Sequence, residues 1–140
     1  MRVTLAVACD YAIRSENGKL NIMGVFKDLL PPVLPFVLPQ MYLVVEYEAS
    51  AAEVGQQKVI QTTLLEEDGS QVLNIEVGTV VQPPARPGTP TYMNSIFGLP
   101  QIVFNNPGDY AFHILVGGEE KTRVPLHVHQ PEQPQQPPPQ

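Results

Sequence analysis

The chain has 140 residues, of which 43% are hydrophobic and 16% are charged, and its formal net charge is −6. This length and composition predict one globular domain with a hydrophobic core. A negative net charge without a stripe of Lys and Arg argues against nucleic acids and anionic membranes as partners, because both are bound largely through positive side chains.

The start of the chain favours a cytoplasmic protein. Residues 5–9, LAVAC, resemble a lipoprotein cleavage site. The apolar run before Cys9 is nevertheless shorter than the ~7–15 residues of a signal peptide, and no apolar run approaches the ~20 residues that span a membrane. A single cysteine forms no intrachain disulfide, which fits a reducing compartment.

The first predicted element is a hairpin. Residues 2–12 form a strand, and Asn17-Gly18 are the two central residues of the turn that follows. This register places apolar residues on one shared face, and it pairs Ile13 with Ile22, Tyr11 with Gly24, and Cys9 with Phe26. Gly24 then leaves room for the ring of Tyr11, which explains a glycine inside a strand.

A proline-rich stretch follows at residues 30–40. Its four prolines argue against a central strand, so we predict a long loop or a crossover between sheets. Packing of this loop over the end of the core is favoured over an exposed binding patch, because monomers rarely leave such patches open. The apolar residues that form the interaction candidates are Val33, Leu34, Phe36, Val37 and Leu38.

The middle of the chain predicts a third strand and a second hairpin. Residues 41–48 alternate, so that Met41, Leu43, Val45 and Tyr47 face inward. A two-residue turn at Asp68-Gly69 joins residues 58–66 to residues 70–81. The apolar residues again coincide in this register, which pairs Leu64 with Leu73, Thr62 with Ile75, and Ile60 with Val77.

The last elements follow a loop at residues 82–90. Residues 92–104 are one strand, or two short ones bent at residues 98–100, and a final hairpin turns through a three-residue loop at residues 117–119. The predicted buried face of this hairpin contains Tyr110, Phe112, Ile114, Val116, Val124, Leu126 and Val128. Tyr110, after a Pro-Gly turn, resembles the tyrosine corner of immunoglobulin-like domains, or it is an ordinary core tyrosine.

These elements predict an all-β, immunoglobulin-like antiparallel β-sandwich of about eight strands over residues 1–129. A sandwich is favoured over a barrel because proline loops separate the hairpins. Residues 130–140 contain only Gln, Pro and one Glu, so we predict a disordered tail.

Two segments of the sequence resemble a family of small bacterial proteins of unknown function. They are Cys9-Asp10-Tyr11-Ala12 with Gly18-Lys19-Leu20 and Gly24-Val25-Phe26, and later Pro107-Gly108-x-Tyr110-x-Phe112. The resemblance extends to Val128 and omits residues 83–90 and the tail. It implies a bacterial origin and a stand-alone sandwich, and it transfers no activity, cofactor or site residue.

The chemically active residues do not converge in the predicted registers. His127, His129 and Asp109 could form a weak metal site, but His113 lies several residues away and zinc needs three or four converging ligands. Cys9 is predicted on the inner face, where a thiol is an inert hydrophobe. Asp10, beside it, is the polar residue with the least explanation. We therefore predict no catalytic, cofactor-binding or metal-binding residues.

Three functional hypotheses follow. The first is a non-enzymatic cytoplasmic module for protein interaction or structure, with an unknown protein partner or with self-association through an edge strand or the proline-rich loop. The second is a sandwich that binds a small ligand or carbohydrate, which requires exposed aromatic residues on a concave sheet. The third is a hydrolase using Cys9 or Asp10. Fold alone does not decide among them.

Overall fold

The structure is a computed structural model that describes residues 1–132. The predicted disordered tail lies, from residue 133 onward, outside the described residues. Nine strands are present in the described part: β1 (Arg2–Arg14), β2 (Leu20–Val25), β3 (Asp28–Leu29), β4 (Phe36–Ala49), β5 (Gln57–Leu65), β6 (Gln71–Val80), β7 (Thr91–Phe104), β8 (Gly108–Val116) and β9 (Glu119–Val128). A short 3-10 turn, Ala51–Glu53, precedes β5. Within residues 1–132, no helix is long and apolar enough to cross a membrane.

The strands form two packed sheets, which confirms the predicted all-β sandwich. One sheet has the order β2-β1-β4-β7, and the other has the order β3-β9-β8-β5-β6. All pairs are antiparallel except β3 with β9. The neighbours β4 and β7 correspond to strands B and E of an immunoglobulin-like domain, and β5, β8 and β9 correspond to strands C, F and G. The strand order is therefore immunoglobulin-like.

Tyr110 occupies the position of a tyrosine corner, near the start of the strand that corresponds to F. Its hydroxyl donates to the carbonyl oxygen of Asn106 at 2.7 Å and lies 2.8 Å from Oε1 of Glu66. Burial, followed by the neighbouring Glu66 carboxyl, raises the pKa of Tyr110 to about 12. The phenol therefore keeps its proton and can donate the bond that fixes the turn before β8.

The inner faces of the two sheets form the main core. The residues predicted to face inward from β4, β8 and β9 are all buried, and they pack with residues of β5 and β7. Members of this core include Met41, Leu43, Val45, Tyr47, Ile60, Leu64, Phe104, Tyr110, Phe112, Ile114, Val124, Leu126 and Val128. The alternation of apolar residues thus predicted the inner faces correctly, because each strand has only two faces.

The three hairpin turns differ from the predicted turns. The first two are three-residue loops that end on Gly18 and Gly69, and both glycines have positive φ angles, 81° and 88°. The third is a two-residue Gly117-Gly118 turn. Bulges between Leu64 and Leu65 and between Ile114 and Leu115 compensate for the altered loop lengths. The predicted registers of the second and third hairpins are therefore confirmed, although their turns were wrong.

The register predicted for the first hairpin is wrong by one residue. Ala12, and not Ile13, lies opposite Ile22, and Cys9 lies opposite Val25. Its three-residue loop is the same kind as in the second hairpin, but no bulge follows in the β1–β2 pairing. The extra loop residue therefore shifts every pair.

The proline-rich stretch is only partly a loop. Residues 30–35 cross from the five-stranded sheet to the four-stranded sheet, as predicted, but β4 already begins at Phe36 and contains Pro39. β1 pairs with β4 only from Tyr42 onward. The first part of β4 thus has β7 alone as its neighbour, and a proline is tolerated on such a locally free edge. β7 is likewise one continuous strand and not two short ones.

We expect Tyr110→Phe to lower the free energy of unfolding by about 1–2 kcal/mol, because it removes a buried hydrogen bond without removing the ring. Urea unfolding followed by circular dichroism measures this loss. Tyr42→Phe is the matched control, since the hydroxyl of Tyr42 has no hydrogen-bond partner among the described residues. Equal stabilities of the two variants would contradict this role of the corner.

The carboxylate of Glu53 makes the stability of the fold depend on pH. Its carboxylate lies 2.7 Å from the α-amino nitrogen of Met1 and 3.4 Å from Nζ of Lys58. The hydrogen bond from the ammonium group is the main cause that lowers the pKa of Glu53 from 4.5 to about 2. A lowered pKa stabilises the folded state above pH 4.5, and this contribution is lost as the pH falls toward 2.

We therefore expect Glu53→Gln to cost about 1–2 kcal/mol of unfolding free energy at neutral pH in a chain that begins at Met1. The difference from wild type should shrink when unfolding is measured at successively lower pH within this window. A difference that stays constant over the whole window would show that the ion pair does not carry the effect.

Candidate functional site

The hairpin of β1 and β2 folds back over the outer face of the four-stranded sheet. Cys9 lies opposite Tyr42, whereas Asn94 of β7 lies opposite Glu46, four residues farther along β4. A straight β1 would carry Arg14 about 30 Å from Asn94 along the strand direction. Instead, Nε of Arg14 donates to Oδ1 of Asn94 at 2.8 Å, and Nη2 donates to the Asn94 carbonyl oxygen at 3.3 Å. We call residues 10–25 the flap.

The flap bends where Asp10 meets Gly24. No backbone pair is formed between Asp10 and Gly24, although the pairs on both sides of them are formed. Gly24 has a φ angle of 69°, and a Cβ at this position would lie 2.3 Å from Oδ2 of Asp10. The prediction that Gly24 makes room for Tyr11 is therefore wrong. The glycine accommodates Asp10, and its left-handed backbone supports the bend.

A second, smaller core lies under the flap. Cys9, Ala12 and Val44 are buried there, and Val7, Leu20, Ile22, Tyr42 and Ile96 pack around them. The sequence prediction placed Cys9 on the inner face opposite Phe26, and the structure places it on the outer face, where the flap covers it. Burial raises the pKa of the Cys9 thiol. The thiol therefore lacks the accessible, ionised form that a nucleophile requires.

The outer side of the flap is apolar and exposed. Tyr11, Ile13 and Met23 are 42%, 48% and 55% exposed, and Val25 at the edge is similarly exposed. Tyr11 lies directly opposite Met23, so these side chains form one surface across two strands. Tyr11 and Ile13 were predicted to face inward. They face outward because the bend turns the other side of the hairpin, which carries Ala12 and Ile22, onto the sheet.

The five predicted interaction candidates divide into two groups. Leu34, Phe36 and Leu38 pack against the main core. Val33 and Val37 remain exposed, at 61% and 49%. Val37 lies opposite Val103, which is exposed as well, and together they form a small apolar pair at the beginning of β4. The loop is thus mostly a cover for the end of the sandwich.

The three histidines each bind a different carboxylate. Nδ1 of His127 lies 2.7 Å from Asp109, Nε2 of His129 lies 2.8 Å from Asp28, and His113 pairs with Glu120. The hydrogen bond with His129 lowers the pKa of Asp28. Among residues 1–132, no group of three or more His, Cys, Asp or Glu side chains is placed to hold a metal ion.

The flap was missed in the sequence because it requires a bend that local patterns do not encode. One signal was nevertheless present. The hairpin has apolar residues on both of its sides, with Tyr11, Ile13 and Met23 on one side and Ala12, Leu20 and Ile22 on the other. Apolar residues on both sides of a hairpin indicate that each side packs against another surface, either within the domain or on a second protein.

We expect native Cys9 to resist labelling by a soluble disulfide reagent, and Arg14→Ala to increase the labelling rate about fivefold. Removing the Arg14–Asn94 contact costs about 1 kcal/mol of flap closure, so the open form becomes more populated. Arg2→Ala is the matched control, because Arg2 makes a comparable exposed contact, with Glu48, outside the flap. Equal rates for the two variants would argue against closure by Arg14.

Comparison with known proteins gives a family but no activity. Sixteen chains of solved structures match this chain, and two of them are similar at low identity. The alkylpurine DNA glycosylase AlkC of Pseudomonas fluorescens, bound to DNA containing an abasic site analog, aligns with 11% identity and a TM-score of 0.45, over 89% of this chain and 30% of that chain. An immunoglobulin-like protein of Pseudomonas aeruginosa aligns with 13% identity and a TM-score of 0.44, over 91% of this chain and 95% of that chain.

The chain thus spans less than a third of the glycosylase. No curated protein matches the sequence. The model of a family of unknown function, DUF6941, matches residues 4–129. This range contains all nine described strands, apart from the first two residues of β1. The chain belongs to this family.

Proposed function

We propose that this domain is a non-enzymatic protein-interaction module, and that the outer side of the flap is its contact surface. The observation that carries the proposal is the exposed apolar surface of Tyr11, Ile13, Met23 and Val25. Such surfaces on monomeric proteins commonly mark interaction sites, because leaving large apolar side chains in water is unfavourable. Tyrosine and methionine are also enriched in the cores of protein interfaces.

The flap surface is held in place, which favours binding. The same hairpin that presents Met23 and Tyr11 also buries Ala12 and Ile22 in the second core. The ring of Tyr11 packs edge-on against the ring of Tyr42, with centroids 5.3 Å apart. A partner would therefore meet side chains that are already ordered, and would lose less conformational entropy on binding.

The placement of the reactive groups supports a non-enzymatic role. Cys9 is covered by the flap, and its raised pKa disfavours the thiolate. The side chain of Asp10 lies against Gly24 at the bend, where a Cβ on residue 24 would come within 2.3 Å of Oδ2. The hydrolase hypothesis relied on these two residues. The charge of Asp10 adds to the rise in the pKa of the Cys9 thiol, which is the opposite of the activation that a nucleophile needs.

The ligand-binding alternative receives less support. Carbohydrate binding calls for several exposed aromatic rings on one concave face. The exposed tyrosines are Tyr11 on the flap and Tyr92 near the start of β7, and they lie on different elements. A cleft beside the tyrosine corner is lined by Glu66, Glu67 and Asp68, but Tyr110 there is buried and offers no stacking surface.

We place the module in the bacterial cytoplasm. A bacterial source rests on the resemblance carried by the first and last hairpins. A cytoplasmic location is supported by the single buried Cys9, which needs no oxidising compartment. Cell fractionation of the source organism, followed by detection with an antibody, tests the location, and recovery in a membrane or secreted fraction would contradict it.

The contact surface is tested by affinity capture from a lysate of the source organism. We expect wild-type protein to retain a partner at near-stoichiometric level, and the double variant Ile13→Asp, Met23→Asp to lose at least about 90% of it, since a buried charge costs several kcal/mol at an interface. Val59→Asp is the control, because Val59 is equally exposed but lies on β5 in the other sheet.

Capture that is unchanged in the flap variant, or lost to the same extent in the Val59 control, would refute the flap as the contact surface. A third variant, Val37→Asp, tests the proline-rich stretch in the same experiment. Loss of partner capture with the Val37 variant alone would place the contact surface at Val37 and Val103.

A further inference from the structure

We propose that two copies of this chain associate through β7, so that the two four-stranded sheets join edge to edge into one eight-stranded antiparallel sheet. This inference goes beyond the proposed partner contact and is independent of it, because the flap surface and the β7 edge are different parts of the molecule. The occupant of the edge is the β7 strand of the second copy.

β7 has a free edge. β7 is the terminal strand of its sheet and pairs only with β4 among the described residues. The carbonyl oxygen of Asn94 accepts a hydrogen bond from Arg14, so it does not point toward β4. Because the N–H and C=O of one residue point the same way in an extended strand, and neighbours alternate, Tyr92, Ile96 and Gly98 also present their backbone groups to the free edge.

The sequence of β7 itself lacks the usual protection of a sheet edge. Sheet edges are commonly shielded by charged residues, prolines or short strands. β7 has 14 residues and none is charged. Its irregular features, Pro100 and the positive φ of Gln101, lie in the second half of the strand. Residues 92–98 thus span about 20 Å without a charged residue of their own, and the charged group bound along this edge is Arg14 of the flap, at Asn94. The opposite sheet ends in β6, which carries Glu76, and in the two-residue β3.

The charge of the chain favours a second copy of β7 as the occupant of this edge. Each copy carries a net charge of −6, so two copies can approach closely only where charge is absent. β7 is the longest strand without a charged residue in the described part of the chain. A second β7 is already extended and ordered, so it pairs without the entropy loss that a disordered peptide would incur. Antiparallel pairing about a two-fold axis satisfies both edges in one closed dimer.

Arg14 does not block this pairing. It occupies one acceptor, the Asn94 carbonyl, and leaves the backbone groups of Tyr92, Ile96 and Gly98 available. The side chain of Tyr92 is 61% exposed and lies on the outer face, beside the edge. A partner strand can therefore pair at Tyr92, Ile96 and Gly98, whereas pairing at Asn94 requires Arg14 to share or release the carbonyl oxygen.

The experiment is sedimentation velocity of the full chain from about 1 to 200 µM, a range that spans the dissociation constants of weak dimers. We expect a reversible dimer for wild type. Tyr92→Pro removes one edge-facing N–H without touching the β4 pairing, and we expect it to weaken dimerisation at least tenfold. Tyr92→Thr keeps the N–H and is the matched control, which we expect to dimerise like wild type.

A wild-type chain that remains monomeric over the whole range overturns the inference and leaves the flap proposal untouched. A Tyr92→Pro variant that folds and dimerises like the Thr control also overturns it. Backbone hydrogen exchange of the wild type provides a readout that needs no variant. Slower exchange at Tyr92 and Ile96 with rising concentration supports the β7 contact, and exchange that does not change while dimers form refutes it.

Discussion

The structure depends on a strand that is buried on both of its faces. Alternate residues of β4, such as Leu43 and Val45, point into the sandwich, and Val44 between them is equally inaccessible on the outer face. A strand of this kind in an antiparallel sheet needs cover on both sides, since a half-buried sheet normally presents polar residues to water. The second sheet covers one side of β4, and the flap covers the other.

One side of the flap stabilises the domain, and the other side is the contact surface that we propose. Its inner side supplies Ala12 and Ile22 to the second core, and its outer side presents Ile13 and Met23 to solvent. Ile13 and Met23 are about half exposed, so polar side chains at these two positions would cost the fold little. The proposed partner contact would bury these exposed apolar residues.

The hairpins show which constraint determines a strand register. In the second and third hairpins the predicted turn was wrong, and a bulge restored the register that buries Leu64 and Ile114. Burial of one face of each strand in the main core is worth more free energy than a regular ladder, so the chain accepts a bulge. The first hairpin has no such bulge. Beyond Ala8 its first strand leaves the main core, and both sides of the hairpin are apolar, so burial favours neither register and the turn sets it.

The sequence by itself determined the fold class and the inner faces of β4, β5, β6, β8 and β9, and it offered Tyr110 either as a tyrosine corner or as an ordinary core tyrosine. Each of these follows from period-two alternation or from local turn chemistry, as in the alternating residues from Tyr110 to Val116. Only the tertiary structure decided the bend at Asp10 and Gly24, the covered position of Cys9 and the free edge of β7. Those features depend on contacts between residues far apart in the chain, such as Arg14 with Asn94, and no local pattern records which distant element will lie above a given strand.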